Sequence, residues 1–309
     1  MIPGAAKIGR AYFAAQALAG AAWWWLVFAG GPVRELTLGG LDHVLVACFD
    51  LPLFVAASAL AAAGVRWMLE TTLLWTLLVA TLMAGYATAT GLAGWGALCM
   101  AAAAGGSLLA ALLIRTGGLP TERLFSGPFG FRQAPPTSSR RHLRRTAGQI
   151  TLFWGLFLGV LPAGIVLLEQ RWGLAVAVPA PVRWAGAALL LAASALGLAA
   201  ARVMSRLGEG TPLPAAMPAR LVVAGPYRWV RNPMAVAGIA QGVAVGMLWG
   251  SWFVAGYALC GGLFWHLVVR PAEEADLLNR FGAPYREYRE KARCWLPRFR
   301  PIPATDPHA

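Results

Sequence analysis

The residues best equipped for chemistry in this chain fall within its last hundred or so positions. Gly208-Glu209-Gly210 follows a long apolar stretch, Arg231-Asn232-Pro233 opens a second, and Arg270-Pro271-Ala272-Glu273-Glu274 closes a third. Around them stand Tyr227, Trp229, Tyr285 and Tyr288, and then Cys294-Trp295-Leu296-Pro297-Arg298. A guanidinium can pair bidentately with a carboxylate, two adjacent carboxylates can hold a cation or hydroxyls, and glycine permits close backbone approach. Pro233 suits the first turn of a helix, whose unpaired N–H groups can hold an anionic group. Taken singly each piece is weak, since Gly-x-Gly is usually a turn and Glu-Glu usually a solvated face.

Two apolar runs between Asn232 and Arg270, joined near Trp249-Gly250-Ser251, must position these groups. At about 1.5 Å per residue each covers roughly 25 Å. Two crossings return the chain to its starting face. The spacing therefore predicts that Arg231 and the Glu273–Glu274 pair reach one membrane surface and share a pocket.

The remainder of the chain explains why crossings are expected. Of 309 residues 58% are apolar and only 13% charged, well below the quarter or so typical of soluble domains. Hydropathy predicts an all-α polytopic membrane protein with about eight transmembrane helices, near 11–29, 42–64, 71–90, 92–114, 148–168, 183–204, 234–248 and 251–269. Placing both termini inside leaves only Arg34, Arg171 and Arg183 of the bases on the outer face, so the N-in, C-in orientation follows. The same rule accounts for the net charge of +13 without nucleic acid as a partner. Cys48, Cys99, Cys260 and Cys294 lack metal-ligand spacing, and no metal site is expected.

The predicted organisation is a four-span N-terminal region (1–114) and a basic cytosolic linker (115–147). A second membrane domain (148–300) with a C-terminal cytosolic pocket and a short tail (301–309) complete it. Lys7 and Arg10 precede the first span, but its length and its Trp23-Trp24-Trp25 end favour an anchored helix over a cleaved signal. Pro271 to Arg293 has helical spacing, with Leu277, Leu278, Phe281, Tyr285 and Tyr288 on one stripe. A faint echo links Leu119-Pro120 through Arg132 to Leu213-Pro214 through Arg228. Arg-rich, Ala- and Gly-rich composition hints at a bacterial source, hence an inner (plasma) membrane.

As a set, the motifs between about 200 and 300 resemble the family of isoprenylcysteine carboxyl methyltransferases and phospholipid N-methyltransferases. The resemblance implies a membrane enzyme moving a methyl group from S-adenosylmethionine to a lipophilic acceptor drawn from the bilayer. It implies a cofactor site at Gly208, Gly210, Arg231, Asn232, Pro233, Glu273 and Glu274. The local inventory adds Tyr227, Trp229 or Tyr285 as a cover for adenine. Asn232 stands where prenylcysteine enzymes carry His, which argues against a prenylcysteine substrate, and Ala235 stands where an aromatic residue is common, which leaves the acceptor open. No general base stands out. His266 is a candidate with a core role as its alternative, and Asp50 either touches a headgroup or pairs helices. An NADPH-dependent reductase of the sterol-reductase type and a non-catalytic transporter or scaffold are the competing readings.

Overall fold

A computed structural model describes residues 4–118, 139–208 and 219–303. All regular structure among them is helical. The Gly210 position and the echo segment around Leu119 to Arg132 lie outside the described residues, as does much of the basic linker.

The helices are α1 (Ala5–Ala29), α2 (Pro32–Leu38), α3 (His43–Ala63), α4 (Arg66–Thr90) and α5 (Gly94–Thr116). There follow α6 (Thr146–Arg171), α7 (Ala180–Leu207), α8 (Pro233–Trp249), α9 (Trp252–Phe281) and α10 (Ala283–Lys291). Seven of these are long and apolar enough to cross a bilayer: α1, α3, α4, α5, α6, α7 and α9. The eighth expected span is α8, a shorter apolar helix of about 25 Å bounded by Pro233 and Gly250. Two expectations at the C-terminal end change. The last span does not stop at 269, because α9 runs unbroken through Arg270 to Phe281. The tail helix expected over 271–293 is instead divided at Gly282, whose φ of 58° ends α9 in a conformation that side chains resist.

Three membrane helices widen into a π-turn, at Leu51–Ala56 in α3, Trp154–Val160 in α6 and Trp265–Val269 in α9. Each has a proline within it or two residues beyond it: Pro52 inside the first, Pro162 and Pro271 just after the other two. Proline donates no hydrogen bond and its ring presses on the carbonyl four residues back. A local widening relieves that pressure without breaking the helix.

The chain divides into two compact units. The first, Met1–Pro120 with Leu168–Ala175, contains α1 to α5. Its helices meet through small residues: Gly9 faces the Ala110 carbonyl and Ile114, and Gly20 faces Phe54. A polar layer crosses this apolar interior. Gln16 Nε2 donates to Ser58 Oγ (3.1 Å), and Ser107 Oγ donates to Gln16 Oε1 (2.9 Å). Asp50, 5% exposed, accepts from the indoles of Trp24 and Trp75 at 2.8 Å each, one on each carboxylate oxygen. This arrangement assigns Asp50 to helix pairing, the second of its two expected roles.

The second unit, Thr121–Leu167 with Val176–Ala309, holds α7 to α10 and most of α6. Its centre is α8, packed closely on α7 and α9. Gly242 meets Ala258, and Gly246 meets the backbone of Ala255, where any side chain would collide. Gln241 Nε2 donates to Ser194 Oγ at 3.0 Å. Gly250, at φ 70°, turns the chain, and Ser251 Oγ caps α9 by accepting from Val254 N–H.

Asp50→Ala removes the acceptor for two indole N–H groups in an interior that offers no replacement. Thermal unfolding in detergent is expected to show a loss of about 2 kcal/mol, with Asp50→Asn milder because one acceptor oxygen remains.

Candidate active site

Within the second unit, residues 219–232 run from near the end of α7 to the start of α8; the side chains of 221–223 alternate, and a 3-10 turn follows at Gly225–Arg228. Val222 and Tyr227 pack with Ala200, Val203 and Met204 of α7. Leu221 and Val223 turn the other way, onto Tyr285, Tyr288, Leu277, Leu278 and Phe281. Alternation is the periodicity of extended backbone, and it ties α7 on one side to α9 and α10 on the other. The expected stripe of Leu277, Phe281, Tyr285 and Tyr288 thus forms a core, although it is carried by two helices. Tyr288 Oη donates to the Tyr227 carbonyl at 2.7 Å, joining the two sides.

Arg231 lies where these parts converge. Its Nη1 donates to the carbonyls of Arg289 (2.8 Å) and Ala292 (3.1 Å), the last acceptors of α10. A cation is favourable at a helix C-terminus. Its Nη2 donates to Glu274 Oε1 at 2.7 Å, and the side chains of this pair are 9% and 17% exposed. Arg270 Nη1 stands 3.9 Å from the same oxygen. The Arg231 backbone N–H donates to the Arg293 carbonyl at 2.9 Å, so the strap after α10 is sewn to the segment before α8. Arg231 Nε is buried and unpartnered.

These groups wall a cleft of about 730 Å³ including its open mouth. Tyr227, Arg231, Asn232, Pro233, Glu273, Glu274 and Tyr285 all line it, so two groups some forty residues apart in sequence meet as expected. Gly208 ends α7 and accepts from Ala219 and Arg220 N–H, but it does not line the cleft. Trp229 is also absent from the lining. Tyr227 and Tyr285 are buried wall residues whose rings are already packed. Asn232 does not cap α8; its Nδ2 points at Cys294 Sγ, 3.6 Å away. The cleft also takes in Met204, Arg220, Met234 and Phe281. Met234 was legible as the neighbour of Pro233, whereas Met204 and Arg220 belong to no motif.

Glu273 and Glu274 differ despite their adjacency. Glu274 is held by Arg231, while Glu273 faces the cleft with no hydrogen bond or ion pair to any described residue. Residues 252–269 already cover about 27 Å, close to the ~30 Å hydrocarbon core, so α9 leaves the membrane near Arg270 and Glu273 lies beyond it. Burial pushes the Glu273 carboxyl up to about 7, with Glu274 and Asp276 adding and Arg231 and Arg280 opposing. Burial also raises the phenols of Tyr227, Tyr285 and Tyr288 far above their ordinary range, which keeps them neutral. His266 does not line the cleft. Its Nδ1 accepts from Trp295 Nε1 at 2.8 Å, so its basic lone pair is already committed.

Residues 182–283 match the family model described as phospholipid methyltransferase, about a third of the chain. That match supports a membrane methyltransferase, and it spans most of the cleft, from Met204 to Phe281. No curated protein and no solved structure matches the chain.

Two outcomes follow from this geometry. Arg231→Ala removes the close partner of Glu274, leaving only Arg270 at 3.9 Å, and strips the side-chain donors from the Arg289 and Ala292 carbonyls, and denaturation in detergent is expected to show a loss of roughly 3 kcal/mol. Glu273 holds its proton more tightly in the folded state than in the unfolded one. Its contribution to stability is complete below its ordinary value of 4.5 and drains away as pH rises through about 7. Glu273→Gln is expected to flatten that decline in unfolding temperature between about pH 5 and about pH 8.

Proposed function

We propose that the cleft binds S-adenosylmethionine and that the protein moves its methyl group to a lipophilic acceptor entering from the bilayer. The observation that carries this reading is the meeting of both ends of the α8–α9 hairpin in one cleft, inside the region that matches a methyltransferase family. The cofactor carries a carboxylate, an ammonium, a sulfonium and an adenosine. The residues present suit it: an unpaired carboxylate at Glu273 and a first turn of α8 that no side chain caps. Phe281, Leu277 and Met234 supply apolar wall.

When bound, S-adenosylmethionine supplies an electrophilic methyl carbon. The protein's part is to bind, orient and exclude water, holding acceptor and methyl group in line. Glu273 takes the cationic end of the cofactor, since Glu274 is already committed to Arg231. Arg231 in turn holds the strap and the α9 extension against α8. The N-terminal turn of α8 offers donors to the carboxylate. On this reading residues 148–300 form the catalytic domain, with its cleft on the cytosolic side of a bacterial inner membrane. A dinucleotide with several phosphates suits the cleft less well, because Glu273 would repel it.

Calorimetry in detergent provides the test. S-adenosylmethionine is expected to bind, and Glu273→Gln to weaken it about tenfold or more, the size of a lost charge-assisted contact. A cation beside Glu273 lowers its proton affinity, so binding near pH 7 releases protons. The measured heat then depends on the buffer's own ionisation heat, and this dependence disappears in Glu273→Gln. Equal affinity in wild type and Glu273→Gln, or a response to NADPH alone, would reject the proposal.

A further inference from the structure

The loop that follows Arg231's contacts with the strap carries large apolar side chains that no described residue covers. Leu296 is 64% exposed, Phe299 is 103% exposed, and neighbouring Trp229 is also open. This loop is built rather than frayed. Arg298 N–H donates to the Trp229 carbonyl at 2.9 Å, Ile302 N–H to the Arg228 carbonyl at 3.0 Å, and Arg228 Nε to the Ile302 carbonyl at 2.6 Å. Cys294 and Ile302 are buried at its two ends. Single exposed apolar residues are ordinary, but here several share one firmly held loop.

Its position says what covers it. The Trp295 ring meets Trp265 edge-on at 5.3 Å, and its Nε1 donates to His266 Nδ1. Trp265 and His266 belong to the π-turn at the end of the membrane portion of α9, beside the exposed Phe264 and Leu267. The loop is therefore continuous with the lipid-facing belt of that helix. Residues 293–300 contain Arg293, Arg298 and Arg300 and no acidic side chain. Apolar tips framed by arginines complement an anionic bilayer surface.

We propose that residues 295–300 are a membrane-surface anchor. Leu296 and Phe299 enter the boundary between headgroups and acyl chains, and Arg293 and Arg300 pair with anionic headgroups. The strap before the anchor gives the Ala292 and Arg293 carbonyls to Arg231, so the anchor sets the cleft against the bilayer surface.

The full chain in lipid nanodiscs tests this, with Phe299→p-acetylphenylalanine spin-labelled through its ketone and Glu287 labelled likewise as the water-facing reference. In discs containing phosphatidylglycerol, the oxygen-to-nickel accessibility ratio at 299 is expected to exceed that at 287 by about fivefold or more. The ratio is expected to fall in purely zwitterionic discs, and Arg293→Gln with Arg300→Gln to abolish that lipid dependence. Nickel access at 299 equal to that at 287 would overturn the proposal. So would a label that neither reagent reaches, which means a protein surface or second copy covers the loop. An unchanged ratio across lipid compositions would overturn the headgroup pairing.

Discussion

A single guanidinium organises the C-terminal unit. Arg231 reaches the last carbonyls of α10 with one nitrogen and the Glu274 carboxylate with another, while its backbone N–H holds the strap. These contacts join three parts of the chain that are remote in sequence: the approach to α8, the extension of α9 and the segment after α10. A partly buried arginine of this kind is stable only when its donors are answered. The cleft in its present form therefore depends on the protein answering both Arg231 Nη groups, with Nε alone left without a partner.

That commitment separates two glutamates that look interchangeable. With Glu274 neutralised by Arg231, the neighbouring Glu273 is left as the cleft's unpartnered carboxylate, raised toward neutrality by burial. A half-desolvated carboxylate without a partner is unfavourable in the empty protein and favourable for a cationic ligand. On the proposed reading, the same physics that makes Glu273 a mild liability for folding makes it a recognition element. A positively charged methyl donor meets that requirement, and a polyphosphate does not.

In the first unit polarity serves a different purpose. Gln16, Ser58, Ser107 and the Asp50–Trp24–Trp75 clamp satisfy one another inside a helix bundle where neighbouring lipid offers no hydrogen bonds. The π-turn after Asp50, which contains Pro52, belongs to the same neighbourhood as the clamp. Polar side chains here bind helix to helix, whereas in the second unit one is left open toward a cleft.

The sequence alone determined the helical membrane class, because long uncharged windows admit no other backbone satisfaction in lipid. Proline, glycine and charge placed most span ends within a few residues, and the two-crossing argument brought Arg231 and the glutamate pair to one site. Other features depended on tertiary contacts. Whether Glu273 or Glu274 would be free turned on which of them faces Arg231, a matter of helix rotation that adjacent identical residues do not encode. The exclusion of Trp229 from the cleft, the commitment of His266 to Trp295, and the inclusion of Met204 and Arg220 all arise from packing between distant segments. The continuation of α9 past Arg270 was hidden because a change of composition marks where a helix leaves the membrane, and not where it ends. Periodicity reads one helix at a time; the partner of each side chain is settled only when the helices meet.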